Sequence, residues 1–154
     1  MIALLQRVNS ASVTVNGEKI ARIQQGLLVL LGVEKKDDAA IVDRLAEKIL
    51  KYRVFADADD KMNLSVLDIK ASVLMVPQFT LAADTQKGLR PSFSNAANPE
   101  KGFELFSQLV DIMRVKGEAK VDDLPANWLQ TGRFGADMAV ELINDGPVTF
   151  NLTV

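Results

Sequence analysis

Ile2-Ala3-Leu4-Leu5-Gln6-Arg7-Val8, then Ala11-Ser12-Val13-Thr14-Val15 and the pair Asn16-Gly17, decide how this chain starts to fold. Both apolar runs read as strands. Asn16-Gly17 is a strong two-residue hairpin signal, because both central positions of a type I′ turn need positive φ. Lys19 to Ile23 forms the return strand. Gly26 to Val33 follows as a continuous Leu/Val run whose length suits a strand buried on both faces, although periodicity alone leaves a buried helix open.

Outward from this β core, the apolar spacing changes. Between Asp38 and about Val54, Ile41, Val42, Leu45, Ala46, Ile49 and Leu50 recur at helical intervals, with Asp37 or Asp38 as N-cap. Asn98 before Pro99 announces a second helix, a cap followed by a residue suited to the first turn. Its stripe is Phe103, Phe106, Leu109, Val110 and Met113, and Gly117 is expected to end it. Between the helices Ser72 to Val76 reads as a strand that delivers Gln78-Phe79-Thr80 into a polar loop reaching about Asn98. Long loops without secondary structure of their own are usually functional. Ala139 to Ile143 and Val148 to Val154 read as the last strands, joined by a tight turn at Asn144-Asp145-Gly146-Pro147. With no repeat, low-complexity tract or linker, the expectation is an α/β fold over residues 1–154. It is a single compact domain with a mixed, largely antiparallel sheet or barrel-like β core and two main helices.

Composition narrows the chemistry. At 154 residues the chain has the length of one ordinary domain, which buries about two thirds of the surface its unfolded form exposes. The absence of cysteine removes disulfides and thiolate metal clusters and suits a reducing compartment, so cytoplasm is the expected location. The first residues run straight into an apolar strand with no basic leader, and no apolar run approaches the roughly 20 residues that span a bilayer, so no membrane partner is expected. A net charge of −2 argues against coating nucleic acid through a large basic face, and no DNA partner is expected. The lack of any histidine removes serine and cysteine triads of the usual kind and most zinc sites together. Carboxylates, lysines and Tyr52 are the acid–base groups that remain, so backbone dipoles or the substrate itself would carry much of any catalysis. Asp57-Ala58-Asp59-Asp60 has the outline of a calcium loop, but Lys61 and Met62 stand where that motif needs an oxygen ligand and a glycine. A solvated turn is expected there, and neither metal nor cofactor.

Two strings carry a resemblance. Pro77-Gln78-Phe79-Thr80-Leu81 and Asn144-Asp145-Gly146-Pro147-Val148-Thr149 resemble the paired signatures of the D-aminoacyl-tRNA deacylases, also called D-tyrosyl-tRNA deacylases. The family's usual forms are Ser-Gln-Phe-Thr-Leu and Asn-x-Gly-Pro-Val-Thr, so the first string matches at four of five positions and the second throughout. Met1 to Val8, Ala82-Ala83-Asp84-Thr85, Arg90-Pro91-Ser92-Phe93 and Thr131 to Met138 also look like that family, in its order.

The resemblance implies an esterase that hydrolyses D-aminoacyl-tRNA, releasing a D-amino acid and free tRNA. It makes Gln78-Phe79-Thr80 the pocket floor, with the N–H groups of Phe79 and Thr80 facing the ester carbonyl. On the residues alone, Phe79 filling the core and Thr80 capping a turn would be preferred. Thr80 has been cast as a nucleophile in this family, but its hydroxyl needs an adjacent base, and no histidine exists to serve. The neighbouring ribose 2′-OH with a bound water is the route the resemblance suggests. Gly146-Pro147 is a plain turn signal on its own. The resemblance implies a cis bond there whose carbonyl oxygens exclude an L side chain and admit a D one, and Arg7 as the brace of that turn. Main-chain atoms suit such a filter because they cannot escape to a new rotamer. Glycine has no side chain to clash, so glycyl-tRNA should also enter.

Phe134 and Met138 are candidates for lining an adenosine pocket for the tRNA 3′ end, with core packing as the competing reading. Lys87, Arg90 and Arg133 are candidates for acceptor-end phosphates, or else solvated surface charges. The family forms homodimers in which the Gly-Pro turn of one subunit enters the other's site, so a homodimer is expected. Pro77 departs from the family's serine, removing a hydroxyl and an N–H while fixing φ. That keeps alive a rival reading, a non-catalytic binder of aminoacylated tRNA ends; a carboxylate-based hydrolase of small esters is a third. Lys116 to Leu129 reads as a surface excursion longer than the family's usual segment.

Overall fold

A computed structural model of the chain describes residues 1–86 and 88–154. In chain order these form β1 (Ile2–Val15), β2 (Glu18–Ile23), β3 (Gly26–Gly32), α1 (Ala39–Lys51), β4 (Phe55–Ala56), β5 (Met62–Leu64) and β6 (Ser72–Pro77). A single 3-10 turn (Phe79–Ala82), α2 (Pro99–Lys120), β7 (Leu129–Thr131) and β8 (Ala139–Thr153) follow.

The two N-terminal apolar runs are one long strand. The first half of β1 pairs antiparallel with β3, from Ile2↔Gly32 to Val8↔Gly26, and its second half with β2, from Ala11↔Ile23 to Val15↔Glu18. Asn16 (φ 50°) and Gly17 (φ 79°) make the hairpin turn with the positive φ that their types favour. Beyond β3 the sheet continues with β6 and β7, both parallel to their neighbours. It then curls until β7 reaches β2, where the Gln130 side chain takes the place of a ladder. Its Oε1 accepts from the Arg22 N–H (3.0 Å) and its Nε2 donates to the Arg22 carbonyl (2.5 Å). The result is a nearly closed barrel-like sheet with two helices.

Burial on both faces explains the Leu/Val run of β3. Leu27, Val29 and Leu31 pack towards the helices with Leu45, Ile49, Leu109 and Met113, while Leu28 joins Val8, Val13, Leu74 and Val76 inside the barrel. The α1 stripe behaves as expected: Val42, Leu45, Ala46, Ile49 and Leu50 are all buried, and the Asp38 carboxylate caps the helix by accepting from the Ile41 N–H (2.9 Å). The helix stops at Lys51, short of Val54, because Tyr52 turns to extended backbone and Phe55 enters β4. Among the described residues, no helix is long and apolar enough to cross a membrane.

Three expectations are corrected. First, no turn separates the last two strands. Ala139–Ile143 and Val148–Thr153 run in the same direction along β1, from Thr14↔Ala139 to Ile2↔Thr153, so both belong to β8. The register skips between Gln6↔Thr149 and Val8↔Asn144, so Asp145 to Val148 bulge opposite Arg7 alone. Second, Gly117 does not end α2. The helix continues to Lys120, and Gly117 serves close packing instead: a Cβ there would lie 2.5 Å from the Trp128 ring. Lys116 to Leu129 is therefore no simple excursion, since Trp128 and Leu129 are core residues. Third, Phe103 leaves the α2 stripe and is 57% exposed.

Candidate active site

The Gln78-Phe79-Thr80 segment is positioned by strand ends. Gln78 donates its N–H to the Leu31 carbonyl (2.7 Å), extending the β3–β6 pairing by one residue. The chain then closes a single 3-10 turn through Leu81 N–H to Gln78 O (3.2 Å) and Ala83 N–H to Thr80 O (3.1 Å). Gly32 lets this turn rest on the end of β3, because a Cβ there would lie 2.9 Å from Leu81 Cβ and 3.1 Å from Gln78 O. The opening N–H groups of a helical turn have no partner within it. Among the described residues nothing accepts from the N–H of Phe79 or Thr80. Phe79 is not a core residue: its ring is 59% exposed and lies against Phe93, 5.0 Å between centroids. Thr80 Oγ1 accepts from the Gln78 side-chain amide (2.5 Å), and among the described residues no carboxylate or amine is bonded to it.

Pro77 fits this geometry. Successive N–H groups of a strand point to opposite sides, so with Gln78 aimed at β3 the Pro77 nitrogen faces β7. The β7 pairing has already ended at Met75↔Thr131. Beside Pro77 stands Gly132, where a Cβ would lie 3.5 Å from Pro77 Cδ and 2.7 Å from Met138 Sδ. Met138 is folded back here, its sulfur accepting from the Arg133 N–H (3.3 Å) and its side chain packed on the barrel interior. Phe134 turns the other way, onto α2, with its ring 5.6 Å from Phe103 and its edge close to Gly102. Both are partly buried, Phe134 against the helix-side core and Met138 against the barrel interior. Arg90 and Arg133 are exposed, and Lys87 lies outside the described residues.

Gly146-Pro147 sits in the β8 bulge, and its peptide bond is cis, with Gly146 at φ +132°. The neighbours that hold it are polar. Arg7 Nε donates to the Asp145 carbonyl (3.2 Å) and pairs with the Asp145 carboxylate (3.0 Å), while its Nη1 donates to the Val54 carbonyl (2.7 Å). Asn144 spans the bulge, its Oδ1 accepting from the Val148 N–H (2.8 Å) and its Nδ2 donating to Thr149 Oγ1 (2.9 Å). Val148 is buried, which leaves Gly146 and Pro147 exposed on the outer edge.

Within one chain these two constellations stand apart. The strand order β8-β1-β3-β6 puts three inter-strand steps of about 4.8 Å between the bulge and the Gln78 end of β6. Arg7 reaches Asp145 and the start of the Gly-Pro bulge; Gln78, Thr80, Pro77 and Met138 gather at the other site. Asn144, Asp145, Phe93 and Gly32 support these groups although no role was read for them in the sequence. Asn144 and Asp145 lie inside the motif string, where an Asn before Gly-Pro is itself a turn-bonding signal. Elsewhere, the Asp57 carboxylate accepts from the N–H groups of Asp59 (2.9 Å) and Lys61 (3.0 Å), bonds that hold it below its ordinary titration range and mark a self-capped turn. Among the described residues, no three His, Cys, Asp or Glu side chains converge to hold a metal.

Residues 4–153 match the family model described as D-Tyr-tRNA(Tyr) deacylase. Curated relatives include the D-aminoacyl-tRNA deacylases of Shewanella amazonensis (56% identical), Idiomarina loihiensis (54%) and Alteromonas mediterranea (51%), each over 154 residues and the whole of both chains. Their equal length leaves no room for Lys116–Leu129 as an insertion relative to them. Among solved structures, the c-Myc DNA Unwinding Element Binding Protein superposes with a TM-score of 0.91 at 37% identity, covering 100% of this chain and 99% of that one. A structure titled as a probable eukaryotic D-amino acid tRNA deacylase shares the fold, with a TM-score of 0.76 at 19% identity and 98% of each chain covered.

Proposed function

This chain belongs to the D-Tyr-tRNA(Tyr) deacylase family, and we propose that it hydrolyses D-aminoacyl-tRNA at a site shared between two copies of itself. It is a carboxylic ester hydrolase of the aminoacyl-tRNA class, as its curated relatives are named. The unclaimed N–H pair of Phe79 and Thr80 is the observation that carries the reading. Two donors aimed at the ester carbonyl oxygen stabilise the charge that develops there, by roughly 3 kcal/mol each in a site that excludes water. A bound water, steered by the ribose 2′-OH, adds to the carbonyl carbon. The ester C–O bond breaks, and the ribose oxygen leaves with a proton. Products are the D-amino acid and free tRNA.

Thr80 contributes its backbone and its position rather than nucleophilic attack, because its hydroxyl oxygen already accepts from Gln78 and has no base beside it among the described residues. Selectivity comes from the Gly146-Pro147 segment of a second copy, whose main-chain oxygens occupy the space an L side chain needs. Arg7, held between Val54 and Asp145, keeps the segment in place; a guanidinium suits this because its donors form a rigid fork. The exposed Gly146 and Pro147, on an edge strand that also exposes Leu142 and Ile143, support the second copy. Phe134 and Met138 flank the 3′-terminal adenosine. The DNA-binding name of one structural relative is that protein's own, and a net charge of −2 gives no support for a duplex-coating face here.

Hydrolysis of matched D-tyrosyl-tRNA, L-tyrosyl-tRNA and glycyl-tRNA, with enzyme well below substrate, tests this. The expected result is rapid loss of the D ester, measurable loss of the glycyl ester and a stable L ester. Equal loss of D and L esters would remove the filter, and loss of neither with binding retained would restore the non-catalytic binder.

A further inference from the structure

Among the described residues no side chain forms a hydrogen bond with Gly146 or Pro147, so the direction of that pair is set at the two ends of the β8 bulge. Arg7 holds one end, at Asp145. Asn144 closes the other. Its Oδ1 accepts from the Val148 N–H (2.8 Å), four residues on and across the Gly-Pro pair. The ladder to β1 lapses between Asn144 and Thr149, so the Val148 N–H has this side chain in place of a strand partner. Asn144 Nδ2 donates to Thr149 Oγ1 (2.9 Å), and the same oxygen accepts from Gln6 Nε2 (3.4 Å). Gln6 and Arg7 are successive residues of β1 and point to opposite faces of it, so the bulge is tied to β1 from both faces.

Resting on the deacylase reading, we propose that Asn144 is a positioning residue for selectivity: its clasp on Val148 and Thr149 sets where the Gly146 and Pro147 oxygens stand, and so governs the ratio of D to L hydrolysis without touching substrate. Asparagine suits this task because one side chain offers an acceptor to Val148 and a donor to Thr149. Aspartate can stand in for it, since the Thr149 hydroxyl rotates to donate to a carboxylate while its oxygen still accepts from Gln6. Alanine cannot. Without the clasp the segment keeps its Arg7 contact alone, and oxygens free to swing no longer exclude an L side chain. A glycyl ester has no side chain to exclude, so its hydrolysis reads the oxyanion donors and the water by themselves.

The test compares the whole wild-type protein with Asn144→Ala and Asn144→Asp on D-tyrosyl-tRNA, L-tyrosyl-tRNA and glycyl-tRNA. Asn144→Ala should lower the D-to-L rate ratio about tenfold, the scale of one or two lost hydrogen bonds, mainly through faster loss of the L ester. Its glycyl rate should match the wild type. Asn144→Asp should restore the wild-type ratio. An equal fall on all three esters would show a role in folding alone and overturn the proposal, as would an unchanged ratio or an aspartate variant as unselective as the alanine one. Affinities for 3′-amino-3′-deoxyadenosine carrying D- or L-tyrosine through an amide, which resists hydrolysis, separate this proposal from the deacylase reading. If the wild type hydrolyses no ester yet prefers the D amide, and Asn144→Ala loses that preference, the clasp stands and the deacylase reading falls; no preference in the wild type would remove both.

Discussion

Thr80 carries two polar groups, and their surroundings separate them. The hydroxyl oxygen is engaged by the Gln78 amide, whereas the N–H opens a 3-10 turn with nothing among the described residues to receive it. Thr80→Ala should therefore leave kcat/KM for D-tyrosyl-tRNA within about tenfold of the wild type, whereas loss of a true nucleophile costs on the order of 10⁶. A steady-state assay of that variant decides between the two. At this scale the sequence is informative where contacts are local, as between the side chains of Gln78 and Thr80, two positions apart. It was silent, read from the residues alone, on Asp145 as the partner of Arg7, because that pair spans 138 positions, and only the family resemblance set Arg7 against that turn. Gly32 was equally silent, since its lack of a side chain matters only once Leu81 is folded against it.

At the scale of elements, α1 and α2 are tied by two carboxylates, Asp43 with Lys116 and Glu47 with Lys116 and Lys120. Lys51, Lys120 and Lys116 surround Glu47 and hold its carboxyl well below the usual range, at about 2. A carboxyl lowered in the folded state stabilises the fold above its ordinary value of 4.5 and loses that contribution as pH falls through about 2. Glu47 is about one-third exposed, so solvent screening limits the effect to about 1 kcal/mol. Glu47→Gln should thus be less stable than the wild type near neutral pH, and urea titrations should show the gap closing between pH 4.5 and 2. The elements themselves were largely legible: the Asn16-Gly17 hairpin, the Asp38 and Asn98 caps and the α1 stripe all follow from local residue preferences. The misreadings share a cause. Gly-Pro in β8 and Gly117 in α2 carry the local signal of a chain break, but pairing with β1 carries the strand past the first, and packing on Trp128 explains the second.

On the scale of the whole molecule, curling the sheet until Gln130 meets Arg22 fixes where each constellation points, and it keeps them apart. Two strands, β1 and β3, separate the Gly146-Pro147 bulge from the Phe79-Thr80 donors of the same chain, and in the proposed function the two meet one substrate across a pair of chains. No local pattern in the sequence could reveal this, because it follows from strand order alone. The account therefore stands on sharing between subunits, and co-expression of two damaged chains tests that most directly. Thr80→Pro removes one N–H donor. Gly146→Val forces a branched side chain into a position where even a Cβ would lie 2.6 Å from Val148 Cγ2, at a φ of +132°. Each homodimer should hydrolyse D-tyrosyl-tRNA poorly. A purified mixed dimer should regain a single intact site, with about half the wild-type rate and full rejection of the L ester; a mixed dimer no more active than its parents would contradict the shared site.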